Sequence, residues 1–178
     1  GKIYSNDYLL PMKIFLLGPM GSGKSKIGRI LSEKLSISLF DIDKEIEKDL
    51  KMSITEIFAS KGEIFFRAIE TDYLIKTAEL KDCVVSTGGG VVEEIKNLKF
   101  LENEAKVVFL NCSVENQFKN TRNSSKRPLL QTSDPKFTLK TLYEKRFDSY
   151  KRVSKLELSS DSMSNEEIAN KIINHFNV

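Results

Sequence analysis

The chain has 178 residues, 40% hydrophobic and 30% charged, with 28 basic against 25 acidic side chains and a net charge of +3. This is the composition of one globular domain with a substantial core. The charge excess is too small to argue for a nucleic-acid partner, though it weakly suits anionic substrates. No apolar run approaches the ~20 residues of a membrane span, and Leu9-Leu10-Pro11 is too short for the apolar region of a signal peptide.

Residues 1–11 read as an appended expression scar or a loose extension, because a start at Met12 places the first strand at the N-terminus. Residues 12–178 read as a single domain. The first strand is Lys13–Leu17. It runs into Gly-Pro-Met-Gly-Ser-Gly-Lys-Ser at 18–25, a complete G-x-x-x-x-G-K-S loop, and then into a helix over Lys24–Leu35. Glycines let backbone N–H groups turn inward around phosphate oxygens, and the helix N-terminus favours the same anion. Lys24 can reach the β- and γ-phosphates, and the Ser25 hydroxyl can ligate Mg²⁺. The loop in this context predicts nucleotide binding.

A second strand, Leu39–Ile42, precedes helices over Asp43–Leu50, Ile54–Ala59 and Glu63–Glu79. At its end stand Asp41 and Asp43. Ligands of open α/β sheets bind beyond the carboxyl ends of strands, so one carboxylate can hold a magnesium-bound water and the other can accept a proton from a hydroxyl. The alternative is that Asp43 is an N-cap. Phe58, Phe65 and Phe66 read as core. Arg67 and Glu70, three apart, share a helix face and suit a carboxylate clamp. Taken alone, Arg67, like Arg146 further on, reads as an exposed helical charge.

The third strand, Cys83–Ser86, leads into Gly88-Gly89-Gly90. Three glycines at the end of a parallel strand bring backbone close to a ligand, or form a flexible turn. Ser86 offers an oxygen for a magnesium-bound water, and no Asp ends this strand. A helix over Glu93–Glu102, a strand over Lys106–Asn111 and a helix over Val114–Asn120 follow. Thr121–Pro135 lacks periodicity and carries Arg122, Lys126 and Arg127. Beside a nucleotide site it reads as a mobile lid, or else as a surface loop. A helix over Lys136–Val153, a strand over Lys155–Leu158 and a helix over Asn165–Phe176 complete the chain. Strands alternating with helices predict a parallel α/β sheet. The one histidine, His175, lies near the C-terminus, so base work falls to a carboxylate. Cys83 and Cys112 lack metal-ligand spacing and read as buried thiols in a reducing cytoplasm.

Gly-Pro-Met-Gly-Ser-Gly-Lys-Ser, Phe-Asp-Ile-Asp, Ile-Phe-Phe-Arg-Ala-Ile-Glu, Ser-Thr-Gly-Gly-Gly, Lys-Arg-Pro-Leu-Leu and Glu-Lys-Arg-Phe-Asp-Ser-Tyr occur in this order. From Met12 to the C-terminus the chain closely resembles the shikimate kinases. The resemblance implies a nucleoside-monophosphate-kinase-like fold: three layers, with a five-stranded parallel sheet in order 2-3-1-4-5 and a lid at about 121–135. It implies phosphorylation of the shikimate 3-hydroxyl by ATP, on the route to chorismate and aromatic amino acids, by a cytoplasmic monomer with no nucleic-acid or membrane partner.

The same resemblance implies the site residues. Asp43 holds shikimate hydroxyls and is the candidate base. Arg67 and Arg146 grip the carboxylate, Glu70 orients them, and Gly88, Gly89 and Gly90 line the substrate. Gly21, Ser22, Gly23, Lys24, Ser25 and Lys26 hold ATP, with Arg127 closing over the phosphates from the lid. Ser25 binds Mg²⁺ directly, and Asp41 and Ser86 hold it through water. Shikimate's one carboxylate and three hydroxyls match two arginines and an aspartate. One departure is that Asn120 stands where many relatives have an adenine-stacking Arg. That leaves Lys119 or Arg122 as substitutes, with residues 159–164 as the opposite wall. Other kinases of the fold, for gluconate or nucleotides, share the loop and lid without predicting the remaining motifs together. A GTPase switch would need an Asn-Lys-x-Asp motif, which the sequence lacks.

Overall fold

The computed structural model describes residues 10–123 and 127–178. Most of the expected N-terminal extension, and lid residues 124–126, lie outside the described residues. Five strands, β1 (Lys13–Leu17), β2 (Ser38–Asp41), β3 (Cys83–Ser86), β4 (Val107–Asn111) and β5 (Leu156–Ser159), form one all-parallel sheet in the order β2-β3-β1-β4-β5. Among the described residues seven α-helices connect and cover them: α1 (Lys24–Leu35), α2 (Ile42–Leu50), α3 (Ile54–Lys76), α4 (Ile95–Glu102), α5 (Val114–Thr121), α6 (Pro135–Val153) and α7 (Asn165–Phe176).

Alternation along each strand splits the core into two layers. Ile14, Leu16, Val84, Val108 and Leu110 pack on one face with Ile27 and Leu31 of α1 and Ile168 and Ile172 of α7. Phe15, Leu17, Val85, Val107 and Phe109 pack on the other with α2, α3, α4 and α6, contributing Ile46, Ile57, Leu74, Leu101 and Tyr150. Cys83 and Cys112 are buried free thiols, as expected, and His175 is exposed in the last turn of α7. Among the described residues no helix is long and apolar enough to cross a membrane.

The strands agree with expectation to within one residue; the helices differ where side chains intervene. The N-cap of α2 is Asp41, which accepts from Lys44 N at 3.3 Å, so the helix starts at Ile42 and Asp43 sits in its first turn. The cap reading of Asp43 is thereby corrected: a carboxylate two residues earlier already satisfies the free N–H. The helix after Gly62 ends at Lys76 and continues as a 3₁₀ turn over Thr77–Glu79. The expected helix at Glu93 is instead a 3₁₀ turn over Val91–Glu93, held by Asn97 Nδ2 on Val91 O at 2.8 Å, with α4 starting afterwards.

The two helices expected either side of Gly62 are one element broken by that residue, at φ 85° and ψ 168°. The break sets Phe58 against Phe66, ring centroids 4.9 Å apart, and turns Arg67 and Glu70 toward the sheet. Phe65, expected in the core, is 36% exposed, because the second segment presents Phe66 inward instead. A Cβ on Gly62 would meet no atom within 4 Å, so only backbone strain opposes one. Gly62→Ala is therefore expected to lower unfolding stability by about 1–3 kcal/mol, measured by urea denaturation. An unchanged midpoint would show that the break does not need glycine.

Candidate active site

The carboxyl ends of β1, β2 and β3 bring the sequence motifs together. After β1 the chain turns through residues 18–23, and Gly23 caps α1 at φ 91°. Lys24 Nζ folds back on this loop, donating to Gly18 O at 2.6 Å and Pro19 O at 3.0 Å. Ser22 is buried with its hydroxyl unpaired. Ser25 Oγ donates to Asp41 Oδ2 at 3.0 Å, and Asp41 lies in register with buried Ser86 on the neighbouring strand. Ser25 and Asp41 are bonded, with Ser86 beside Asp41 on the adjacent strand. Lys26 stands apart, exposed on α1.

A pocket of about 90 Å³ opens beside the loop, lined among others by Met20, Asp43, Glu70, Gly88, Arg127 and Arg146. Both arginines that read as exposed helical charges when taken alone are buried: Arg67 is 8% exposed and Arg146 is 3%. Arg67 NH1 donates to Glu70 Oε1 at 2.9 Å. Arg146 donates from Nε and NH2 to Glu93 Oε2 at 3.1 and 2.7 Å. Crowding around the glycine triplet is greatest at Gly90. A Cβ on Gly90 would lie 2.4 Å from Arg67 NH2, and one on Gly88 2.9 Å from Glu70 Oε2 and 3.2 Å from Asp43 Oδ1. One on Gly89 would lie 3.3 Å from Arg146 NH1 and 3.5 Å from Met20 N, so the triplet joins the arginines to the phosphate-type loop. The Tyr150 hydroxyl donates to Gly89 O and holds this turn from below.

Asp43 Oδ1, Glu70 Oε2, Arg67 Nε and Arg127 Nε are buried without a hydrogen-bond partner. Unpaired buried polar atoms are costly. Here acceptors and donors line the same pocket. Burial, then the charges of Glu70 and Asp41, push the Asp43 carboxyl up to about 7, against the pull of Lys24. Burial, then Arg127, bring the Lys24 ammonium down to about 7. Burial raises Glu70 despite Arg67, and burial lowers Arg127. The arrangement offers anion-binding donors on two sides of a carboxylate poised to take a proton near neutrality.

Asn120 is exposed at the end of α5 and tied to the loop. Its Nδ2 donates to Gly21 O at 2.9 Å and ties α5 to the loop, while Lys119 and Arg122 are exposed. Asp161 accepts from Asn116 Nδ2 at 2.7 Å and from Ser113 N at 3.2 Å, fastening residues 159–164 to the start of α5. The residues that sequence reasoning passed over are Glu93 and Tyr150. Tyr150 was within reach, since it lies four residues after Arg146 on one helix face. Glu93 carried no local signal.

A parallel sheet with a phosphate-type loop after its central strand and a polar pocket beside it defines the P-loop kinase class. The family that matches is shikimate kinase, over residues 20–177. A shikimate kinase of Marinomonas sp. is 43% identical over 162 residues, spanning 90% of this chain and 89% of its own. The structure of Acinetobacter baumannii shikimate kinase in complex with shikimate aligns with a TM-score of 0.90 at 36% identity, covering 94% of this chain and 93% of that one. Deoxyadenosine kinase from M. mycoides, 16% identical with a TM-score of 0.62 over 94% of this chain and 100% of its own, shares the fold alone. The chain belongs to the shikimate kinase family.

The raised Asp43 carboxyl has a stability consequence. Its proton is bound more tightly in the folded than in the unfolded state, so the contribution is full below about pH 4 and is lost as pH rises through about 7. Without ligand, Asp43→Asn is expected to be more stable than the wild type at pH 8, with the gap closing by pH 4. Urea denaturation at both pH values checks this; a gap independent of pH would show that Asp43 folds without an ionisation cost.

Proposed function

We propose that the protein transfers the γ-phosphoryl group of ATP to the 3-hydroxyl of shikimate, giving shikimate 3-phosphate and ADP. The observation that carries this is the set of buried, unpaired atoms around the pocket: guanidinium donors for a carboxylate and carboxylate acceptors for hydroxyls. A cyclic acid with several hydroxyls supplies both. Family membership and the shikimate complex of the Acinetobacter baumannii relative support the same substrate.

In this reading Arg67 and Arg146 receive the carboxylate, with Glu70 holding Arg67. Gly88, Gly89 and Gly90 admit the ring where a side chain would collide. Asp43 accepts hydrogen bonds from the hydroxyls and takes the proton as the 3-hydroxyl attacks the γ-phosphorus in line. Backbone N–H groups of Gly21, Ser22, Gly23, Lys24, Ser25 and Lys26 cradle the phosphates. Lys24 exchanges its loop carbonyls for phosphate oxygens, and Arg127 neutralises transition-state charge from the lid. Ser25, Asp41 and Ser86 present hard oxygen donors suited to Mg²⁺, with Ser25 direct and the others through water. Bound there, the ion would supply neutralisation of phosphate charge. Closure of residues 121–135 excludes water that would otherwise accept the phosphoryl group. With Asn120 bonded to Gly21, the adenine base lies between α5 and residues 159–164. The protein acts as a cytoplasmic monomer, and its mixed surface charge supports no nucleic-acid or membrane partner.

The test is a coupled ADP-release assay with shikimate, gluconate and nucleoside monophosphates in parallel. Turnover confined to shikimate is expected; preference for another acceptor overturns the reading. Asp43→Asn is expected to keep shikimate binding while turnover falls by about 10²–10⁴. Intact turnover would remove Asp43 as the base. Arg127→Ala is expected to lower turnover more than it raises the shikimate KM, because a lid arginine that arrives on closure favours the transition state. A defect in binding alone would restrict the lid to gating entry.

A further inference from the structure

Arg67 and Arg146 are the wall between two cavities. On one side lies the pocket of about 90 Å³ that holds Asp43 and Gly89. On the other an open groove of about 780 Å³ runs between α3, the Val91–Glu93 turn and α6. Glu93 lines the outer groove and not the inner pocket. It stands behind both guanidiniums.

The hydrogen bonding of Glu93 is one-sided. Its Oε2 takes the Nε and NH2 edge of Arg146 at 3.1 and 2.7 Å and lies 3.6 Å from Arg67 NH2. Its Oε1 pairs with Lys145 Nζ at 2.5 Å. Among the described residues it is the one carboxylate within ion-pair distance of both buried arginines. What remains of each guanidinium is aimed elsewhere. Arg146 NH1 borders the space beside Gly89, and Arg67 Nε is buried without a partner. The backbone supports this placement, since Glu93 N donates to Gly90 O at 3.0 Å in the turn that follows the glycine triplet.

We infer that Glu93 is the positioning residue of the carboxylate clamp: it fixes both arginines from the outer side so that their free edges face the pocket at a set spacing. This rests on the shikimate reading above and adds a residue to it. Two guanidiniums side by side repel each other and lose much side-chain freedom when they meet one anion. A shared carboxylate behind them cancels the repulsion and orders both before the ligand arrives, which is preorganisation. Glu70 cannot replace it, because it bonds only Arg67.

Steady-state kinetics of wild type, Glu93→Ala and Glu93→Gln, with shikimate and ATP varied separately, test the inference. The methyl ester of shikimate serves as an acceptor without the charge the clamp would grip. Glu93→Ala is expected to raise the shikimate KM at least tenfold, with the ATP KM within twofold and turnover within threefold. Glu93→Gln keeps an accepting oxygen and is expected to fall between. Efficiency on the methyl ester is expected to change less than twofold, since the ester makes no ion pair. A shikimate KM within twofold of wild type in both variants overturns the inference, as does an equal penalty for acid and ester, which marks a scaffold contact only. Should Glu93→Ala not fold, Glu93→Gln decides alone: a threefold or greater rise specific to shikimate supports the role, and a smaller one overturns it. Wild type that does not phosphorylate shikimate overturns the functional reading itself. Active wild type with an unmoved Glu93→Gln overturns this inference alone.

Discussion

Two positive charges buried at one end of a parallel sheet set the terms for much of this structure. A guanidinium removed from water without partners is far too costly to keep. Arg67 and Arg146 are kept by Glu70 and Glu93, which come from α3 and from the turn after the glycine triplet. Each neighbouring feature follows from housing them. A Cβ on Gly90 would fall on the Arg67 guanidinium, and one on Gly88 would crowd the Glu70 carboxylate. The break at Gly62 lets Arg67 and Glu70 face inward while Phe58 packs against Phe66. Tyr150, fully buried and stacked on Phe109 at 4.9 Å, anchors the glycine turn from the core side.

The charges are nearly balanced but not fully satisfied, and that residue of unmet bonding is what a ligand completes. Asp43 and Lys24 are both brought to about 7 by burial, in opposite directions. A carboxylate held near its switching point can take a proton from a hydroxyl at modest cost. A site built of unpaired polar atoms carries strain that binding relieves. The same construction that lowers stability without ligand leaves donors and acceptors that suit a molecule bearing both an anion and hydroxyls.

Much was legible in order along the chain. The loop at 18–25 requires a strand before it and a helix after it, and local hydrophobic pattern shows both. The five strands alternate with helices, which leaves a parallel sheet as the simple solution, and they agree with the structure to within a residue. Errors fell where a side chain outweighed pattern. Asp41 took the cap that Asp43 could have supplied. Asn97 pinned the turn before α4. Phe65 lost its core place when the helix turned about Gly62.

The sequence by itself determined the phosphate-type loop, the layer pattern, and the motifs that mark the family, because those depend on spacing within a few neighbouring residues. Only the tertiary structure decided that Arg67 and Arg146 are buried rather than solvated, and that Glu93, distant from both in the chain, binds them together. Burial is a property of what packs opposite, and charge pairing between α3, the Val91–Glu93 turn and α6 exists only once those elements meet. No local pattern encodes a contact across 26 or 53 positions, the chain separations of Glu93 from its two arginines.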